Sequence, residues 1–244
     1  LFDGTDDRIV CAVGGVTVGY GTWVAIVRRS GNTTQDAITS LNDAGQQRLW
    51  WRATATTGLL QYTAASSTNA TTATCLTAAG WMLLAAGKAT GTTTPRFHTY
   101  TYGTDAWIHE NAGGTSADAS VGSVTDVQIG ARFNTDFWQG DILIAGFYPA
   151  QLTDAEVENM AFSLDGWFAP ATAPGAIWLL NQSLTTQNVV DSTGNGANQT
   201  ALTGTAIATN HPPIWNRGSR GVSVRRNTGA VVARHRRMLL GVGH

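Results

Sequence analysis

Short apolar runs of strand length, each closed by glycine, asparagine or serine, recur along most of this chain and restrict its fold more than any other feature. Residues 8–13, 21–28, 48–52, 58–62, 80–87, 97–103, 127–130 and 140–148 each fit a strand and are too short to bury one face of a helix. Their rhythm of roughly 8–12 residues is that of a sandwich or barrel. Composition points the same way. Charged residues make up 13% of the chain, with one Lys (Lys88) and three Glu (Glu110, Glu156, Glu158), so strong helix formers are scarce. Thr, Val, Gly and aromatics take their place. The run at 80–87 reads as a central strand. Alternation at 97–103 places His98, Tyr100 and Tyr102 on one face and Thr99 and Thr101 on the other. Residues 64–74 are all Ala, Ser, Thr or Asn and read as a solvated loop or an edge.

One segment departs from this rhythm. Thr153 lies three residues before Glu156, the spacing of a capping box, and Leu152 can staple onto Val157. The acids of the first turn sit at the positive end of the helix dipole. A short helix near 153–160 therefore connects two sheets. A Pro/Ala hinge at 170–174 follows, then later strands at 176–180 and 189–190 and weak strand character at 200–210. No internal repeat of fixed period is present. The expected organisation is a β-sandwich over 1–216, with 171–216 contributing its later strands, and a separate arm over 217–244.

The arm is set apart by charge. Residues 1–216 carry a formal charge of −8, whereas 217–244 carry +7 and no acid. Its seven arginines are Arg217, Arg220, Arg225, Arg226, Arg234, Arg236 and Arg237. Such a segment cannot bury a core of its own and reads as an arm that orders on another subunit, with arginine on acidic surface and Val or Leu in a groove. Without a motif or interleaved aromatics it does not read as a nucleic-acid binder. No apolar run approaches the ~18 residues of a membrane span. Cys11 and Cys75 are read as two buried thiols, with a single bridge as the alternative. No signal peptide is visible, and a start at Leu1 leaves room for a preceding segment.

Two stretches carry a family resemblance. Phe2-Asp3-Gly4-Thr5-Asp6-Asp7 is similar to the opening strand of laminin-G-like domains. Gly130, then Phe137-Trp138-Gln139-Gly140-Asp141-Ile142, then Leu152-Thr153-Asp154-Ala155-Glu156-Val157, resembles that family's closing strand and helix. The resemblance spans residues 1–160 and implies an all-β, antiparallel jelly-roll sandwich of the concanavalin-A-like class. This architecture hosts lectins, pentraxins, glucanases and viral structural modules, so it leaves activity open.

The glycosidases of this class resemble one another in acidic residues closely spaced on one strand, the paired carboxyls that retaining hydrolysis needs. The only closely spaced Glu pair here is Glu156 and Glu158, two apart on the helix and so divergent. No Gly-x-Ser-x-Gly, zinc, Walker or dinucleotide motif is present. His98 and His109 flank Asp105, but their places on aromatic strands make them ordinary core histidines. Calcium is the metal the resemblance implies, with Asp3, Asp6 and Asp7 as its oxygen-rich turn; the competing reading is Asx-turn chemistry. A sugar site requires an aromatic platform, for which Trp50, Trp51, Trp107 and Trp138 are the candidates, although a sandwich core also consumes tryptophan.

The leading expectation is a non-enzymatic structural or decoration module of a tailed-phage virion, on the capsid or tail surface and hence extracellular. It would be homo-oligomeric and anchored to other virion subunits through the arm, without nucleic acid or membrane. The phage assignment rests on the look of the sequence, with its Ala/Gly/Thr bias and basic terminus. The alternative is a carbohydrate-binding adhesin that meets a host-surface glycan. A glycan hydrolase stands third, permitted by the fold alone.

Overall fold

The computed structural model describes residues 2–16, 20–30, 35–41, 48–54, 57–64, 67–70, 80–92, 94–111, 124–132, 136–180 and 189–203. In chain order the first strands are β1 (Phe2–Asp3), β2 (Arg8–Cys11), β3 (Gly21–Arg29), β4 (Gln35–Leu41), β5 (Arg48–Thr54), β6 (Thr57–Ala64) and β7 (Ser67–Ala70). They continue as β8 (Trp81–Lys88), β9 (Arg96–Thr101), β10 (Ala106–Asn111), β11 (Val127–Ile129) and β12 (Gln139–Tyr148). Helix α1 (Asp154–Phe162), a 3₁₀ turn (Asp165–Trp167), β13 (Ala176–Leu179) and β14 (Gln199–Thr203) complete the order.

The strands form two seven-stranded sheets with antiparallel pairing. The first runs β1-β12-β3-β8-β9-β10, with β13 also on β12; the second runs β14-β2-β11-β4-β5-β6-β7. This is the antiparallel jelly-roll sandwich that the rhythm predicts, but the helix does not link the two sheets: α1 lies between β12 and β13, neighbours in the first sheet, and folds back over that sheet's outer face. Strand β8 lies between β3 and β9, as its apolar run implies.

Side-chain alternation builds two cores from the first sheet. Trp23, Ala25 and Val27 of β3 point inward with Met82, Leu84 and Ala86 of β8, against Ile9, Cys11, Ile38, Leu60 and Ile129 of the second sheet. Trp23 anchors this layer, stacked on Trp178 at 6.4 Å and tilted onto Phe147 at 4.9 Å. Val24, Ile26, Leu83 and Ala85 point the other way and are covered by Val157, Met160, Ala161 and Trp167. Burial on both faces explains why these strands read as continuous apolar runs. The helix that covers them starts as expected: Glu156 N–H donates to the Thr153 hydroxyl and the Glu156 carboxylate accepts from Thr153 N–H. Trp167 Nε1 donates to the Met160 carbonyl and the Tyr148 hydroxyl to that of Trp167, so both aromatic polar ends are satisfied inside the core.

The ladder differs from the sequence expectation in two places. Strand β4 has no apolar run to announce it, because the pairing with β5 slips between Ala37 and Thr39 and buries Thr39 and Ser40 alongside Ile38. The Ser40 hydroxyl donates to the Ala131 carbonyl, which makes that burial tolerable. Residues 67–70 form the edge strand β7, the second of the two readings of that stretch. Residues 189–190 form no ladder; instead the buried Asp191 carboxylate accepts from the Ile177, Thr193 and Ala197 N–H groups and the Thr193 hydroxyl, tying this loop to β13. Strand β13 joins the first sheet and β14 the second. Cys11 is a buried free thiol, and burial raises its pKa; Cys75 and the arm over 217–244 lie outside the described residues.

Gly130 explains one glycine of the resemblance. Its φ is +83°, and a Cβ there would lie 2.3 Å from the Phe2 ring. Gly194 shares that φ but has open space around it. Gly194→Ala is therefore expected to cost only the left-handed backbone penalty, about 1–2 kcal/mol. Gly130→Ala costs measurably more, because Phe2 must also move, and urea denaturation of the two variants reads the difference.

Candidate functional site

Strands β9 and β10 form a hairpin whose register pairs Tyr100 with Trp107 and His98 with His109. Paired residues share a face, so the four side chains form one block on the outer side of the first sheet. Trp107 stacks on Tyr100 at 4.6 Å and lies nearly parallel to His109 at 5.1 Å. The two histidines meet through Nδ1 atoms 2.9 Å apart. At the turn, Asp105 accepts from the Tyr100 hydroxyl at 2.5 Å and holds a left-handed φ of 51°.

The helix supplies the acids. Asp154 and Glu158 are one turn apart and face the hairpin together. Glu158 Oε1 is 3.1 Å from His109 Nε2. Asp154 Oδ1 lies 3.5 Å from His98 Nδ1 and 3.8 Å from His109 Nδ1. Arg96 forks onto Asp154 through Nε and its terminal nitrogen, at 3.0 and 2.5 Å, and holds that carboxyl below its ordinary range. Burial, with the nearby His109 and Arg96 charges, pushes the His98 imidazole from 6.5 down to about 3 against the opposing pull of Asp154. His98 is thus neutral at physiological pH.

Beside the acids opens a polar groove of about 500 Å³, lined by Arg96, Asn111, Gln151, Thr153 and Asp154 with Leu152 and Ala155. On the other side of the block stands Phe162, exposed and edge-on to Tyr100 at 5.3 Å. Aromatic faces and hydrogen-bonding groups therefore adjoin along one rim. That combination suits a ligand with both apolar and hydroxyl surfaces.

The four tryptophans singled out from sequence meet different fates. Trp107 is partly exposed and belongs to this rim. Trp138 is fully buried in the inter-sheet core, so it offers no face to a sugar. Trp50 and Trp51 lie on β5 in register with Gln61 and Leu60, and their side chains fall outside the described part of the structure. The acidic turn is brought together as expected: carboxylate oxygens of Asp3, Asp6 and Asp7 lie within 4.8 Å of one another. Asp7 is buried with Oδ1 lacking a hydrogen-bond partner, while Asp3 N–H donates to its other oxygen. Burial, then the Asp3 and Asp6 charges, raise the Asp7 pKa against that hydrogen bond.

The acidic pair on the helix diverges as its spacing implies. Glu156 is engaged by Thr153 and by Ala171 N–H, and Glu158 by His109. The histidine reading needs correction. Their acid is Asp154 rather than Asp105, because the helix folds back over the hairpin. The hairpin register could have paired His98 with His109 in advance; nothing in the spacing could have added Asp154.

No family model matches the sequence, and no curated protein matches it. Solved structures do. A putative carbohydrate-binding protein from Bacteroides ovatus superposes with a TM-score of 0.57 at 18% identity, over 86% of this chain and 61% of that protein. A heptameric SAP-like pentraxin from Limulus polyphemus gives 0.46 at 14% identity, over 66% of this chain and 79% of that one. The LG1–3 region of the laminin α2 chain gives 0.45 at 10% identity, over 62% and 32%. The likeness to the Bacteroides protein shows the fold, and at this identity the fold alone.

The His98 environment has a consequence for stability. Its folded pKa lies below the unfolded value of 6.5, so its stabilising contribution is full above about pH 6.5 and is lost as pH falls toward 3. Between pH 6.5 and 5, above the range where carboxylates titrate, the chain in metal-free buffer loses up to about 1.4 kcal/mol per pH unit from this group. Denaturant melts at both pH values are expected to show that slope, and His98→Gln to flatten it.

Proposed function

We propose that this chain is a carbohydrate-recognition module that binds without turnover, through the rim formed by Trp107, Phe162 and the adjoining polar groove. The observation that carries the reading is the placement of Trp107. It is partly exposed, lies in a stacked aromatic row and joins through His109 to the carboxylates and the guanidinium beside the groove. A pyranose presents an apolar ring face and a fringe of hydroxyls, so an aromatic next to amide, acid and arginine groups complements both. The fold shared with a putative carbohydrate-binding protein supports the same reading. Binding without hydrolysis is supported by the engagement of Glu156 in the helix cap and of Glu158 with His109, away from each other. The module acts outside the cell in this reading, where glycans are displayed.

Assembly onto a virion is the second reading, and the charge split supports it: a −8 body followed by a +7 arm is suited to docking the arm on another copy or on a neighbouring subunit. The two readings place function on different parts of the chain, so one experiment separates them. On a glycan array, Trp107→Ala is expected to weaken binding by about tenfold or more, the scale of an aromatic anchor, while the chain still melts cooperatively at a temperature lowered by the lost stacking on Tyr100. Truncation before Arg217 is expected to retain glycan binding and abolish assembly measured by sedimentation. A Trp107→Ala chain that binds as well as the parent sinks the carbohydrate reading at this rim, and release of sugar from any polysaccharide overturns binding without turnover.

Calcium at the acidic turn belongs to the same proposal. Asp3, Asp6 and Asp7 would hold it, and the unpartnered Oδ1 of buried Asp7 is the feature that fits a cation. Bound there, it would neutralise three crowded carboxylates and fix the turn from β1 into β2. Millimolar calcium is expected to raise the melting temperature relative to chelator, and Asp7→Asn to remove the difference.

A further inference from the structure

We propose that His98, His109 and Asp154 form a binding site for a divalent transition-metal ion of the zinc class, on the outer face of the β9–β10 hairpin beneath the first turn of α1. Three atoms of suitable type converge there: His98 Nδ1, His109 Nδ1 and Asp154 Oδ1, separated by 2.9, 3.5 and 3.8 Å. The triangle they form has a circumscribed radius of about 2.0 Å. An ion bonded to all three at the usual ~2.1 Å therefore sits roughly 0.7 Å above their plane, the position a tetrahedral ion takes above one face. The heavy atoms need hardly move; the proton that one Nδ1 donates to the other leaves the site or passes to that ring's Nε2 as the ion binds. Two imidazoles and one carboxylate suit zinc better than calcium, which prefers six or more oxygens.

The surroundings favour this use of the cluster. With Glu158 accepting from His109 Nε2–H, the lone pair of that ring lies on Nδ1, toward His98. This is the carboxylate–histidine arrangement that orients metal-bound imidazoles. His98 is 1% exposed, which fixes its ring, and Asp154 is 43% exposed, which leaves the ion an open side toward solvent and the groove. Arg96 is the opposing charge. Its terminal nitrogen binds Asp154 Oδ2 and its Nε binds Oδ1, so Oδ1 would be shared between Arg96 and the ion. Asp154 also lines the groove, but zinc binding to the three ligands requires no sugar, so the two proposals can fail separately.

The test uses the full chain, stripped with chelator and dialysed, then titrated with zinc chloride by calorimetry and with cobalt(II) by visible absorption. The parent is expected to bind one zinc in this site, with the intense visible bands of a four- or five-coordinate cobalt adduct. His109→Gln and Asp154→Asn are each expected to weaken zinc at least tenfold and to erase those bands, and Glu158→Gln to weaken it by about 10–100-fold. Calcium chloride is expected not to compete. Should His109→Gln fail to fold, the exposed Asp154→Asn carries the comparison alone. Absence of saturable zinc binding in the parent overturns the proposal. So does zinc binding that survives both ligand variants unchanged, since the ion then sits elsewhere in the chain.

Discussion

The structure depends on the first sheet being buried on both faces. Trp23, Ala25 and Val27 face the second sheet, and Val24 and Ile26 face the helix, so β3 has no side that tolerates water. A strand of this kind is stable only while something covers its back, and Val157, Met160, Ala161 and Trp167 do so. The cap formed by Thr153 and Glu156 thus supports the whole sheet, because it fixes where the cover begins. Nine helical residues span only about 13 Å, roughly three strands of a sheet. The outermost hairpin is therefore roofed by helix side chains at its near side and left partly open at its rim. Trp107 and His109 lie at that margin.

Much of the fold was legible for the same reason. Continuous apolar runs at 21–28 and 80–87 announce strands with two dry faces, and Thr153 with Glu156 announces the one helix. Strand β4 was hidden because two of its buried positions are filled by Thr39 and Ser40, which a hydrophobic pattern does not register; the Ser40 hydroxyl is satisfied by the Ala131 carbonyl. The site was less legible than the fold. A tryptophan at position 138 and one at position 107 look alike in sequence; only the layer each strand enters decides that one is core and the other rim. Asp154 was out of reach altogether, since it lies 56 residues beyond His98 and meets it only through the folding-back of α1. Local spacing cannot encode a contact that a tertiary layer creates.

Three kinds of chemistry meet within one hairpin and one helical turn. Stacked rings provide an apolar face, a guanidinium and amides provide donors, and a histidine pair with a carboxylate provides a cradle for a cation. None of these is dictated by the jelly roll, which would close equally well around other residues at its margin. The acidic turn between β1 and β2 is different, because Asp7 is buried there, so whatever balances its charge also supports the fold.

The pairing of β2 with β14 carries a last consequence. Ile9 lies opposite Leu202, and Phe2 opposite Gly140, so two of the earliest strands find their neighbours only after most of the described chain exists. Contacts of such long sequence range tend to form late and slowly, in milliseconds to seconds for β-rich domains. During synthesis the N-terminal strands must wait with exposed backbone edges while the rest of the chain emerges. Asp3, Asp6, Asp7 and Arg8 set charge beside those waiting edges, and the yield of folded protein depends on how fast the far strand arrives as well as on how well it fits.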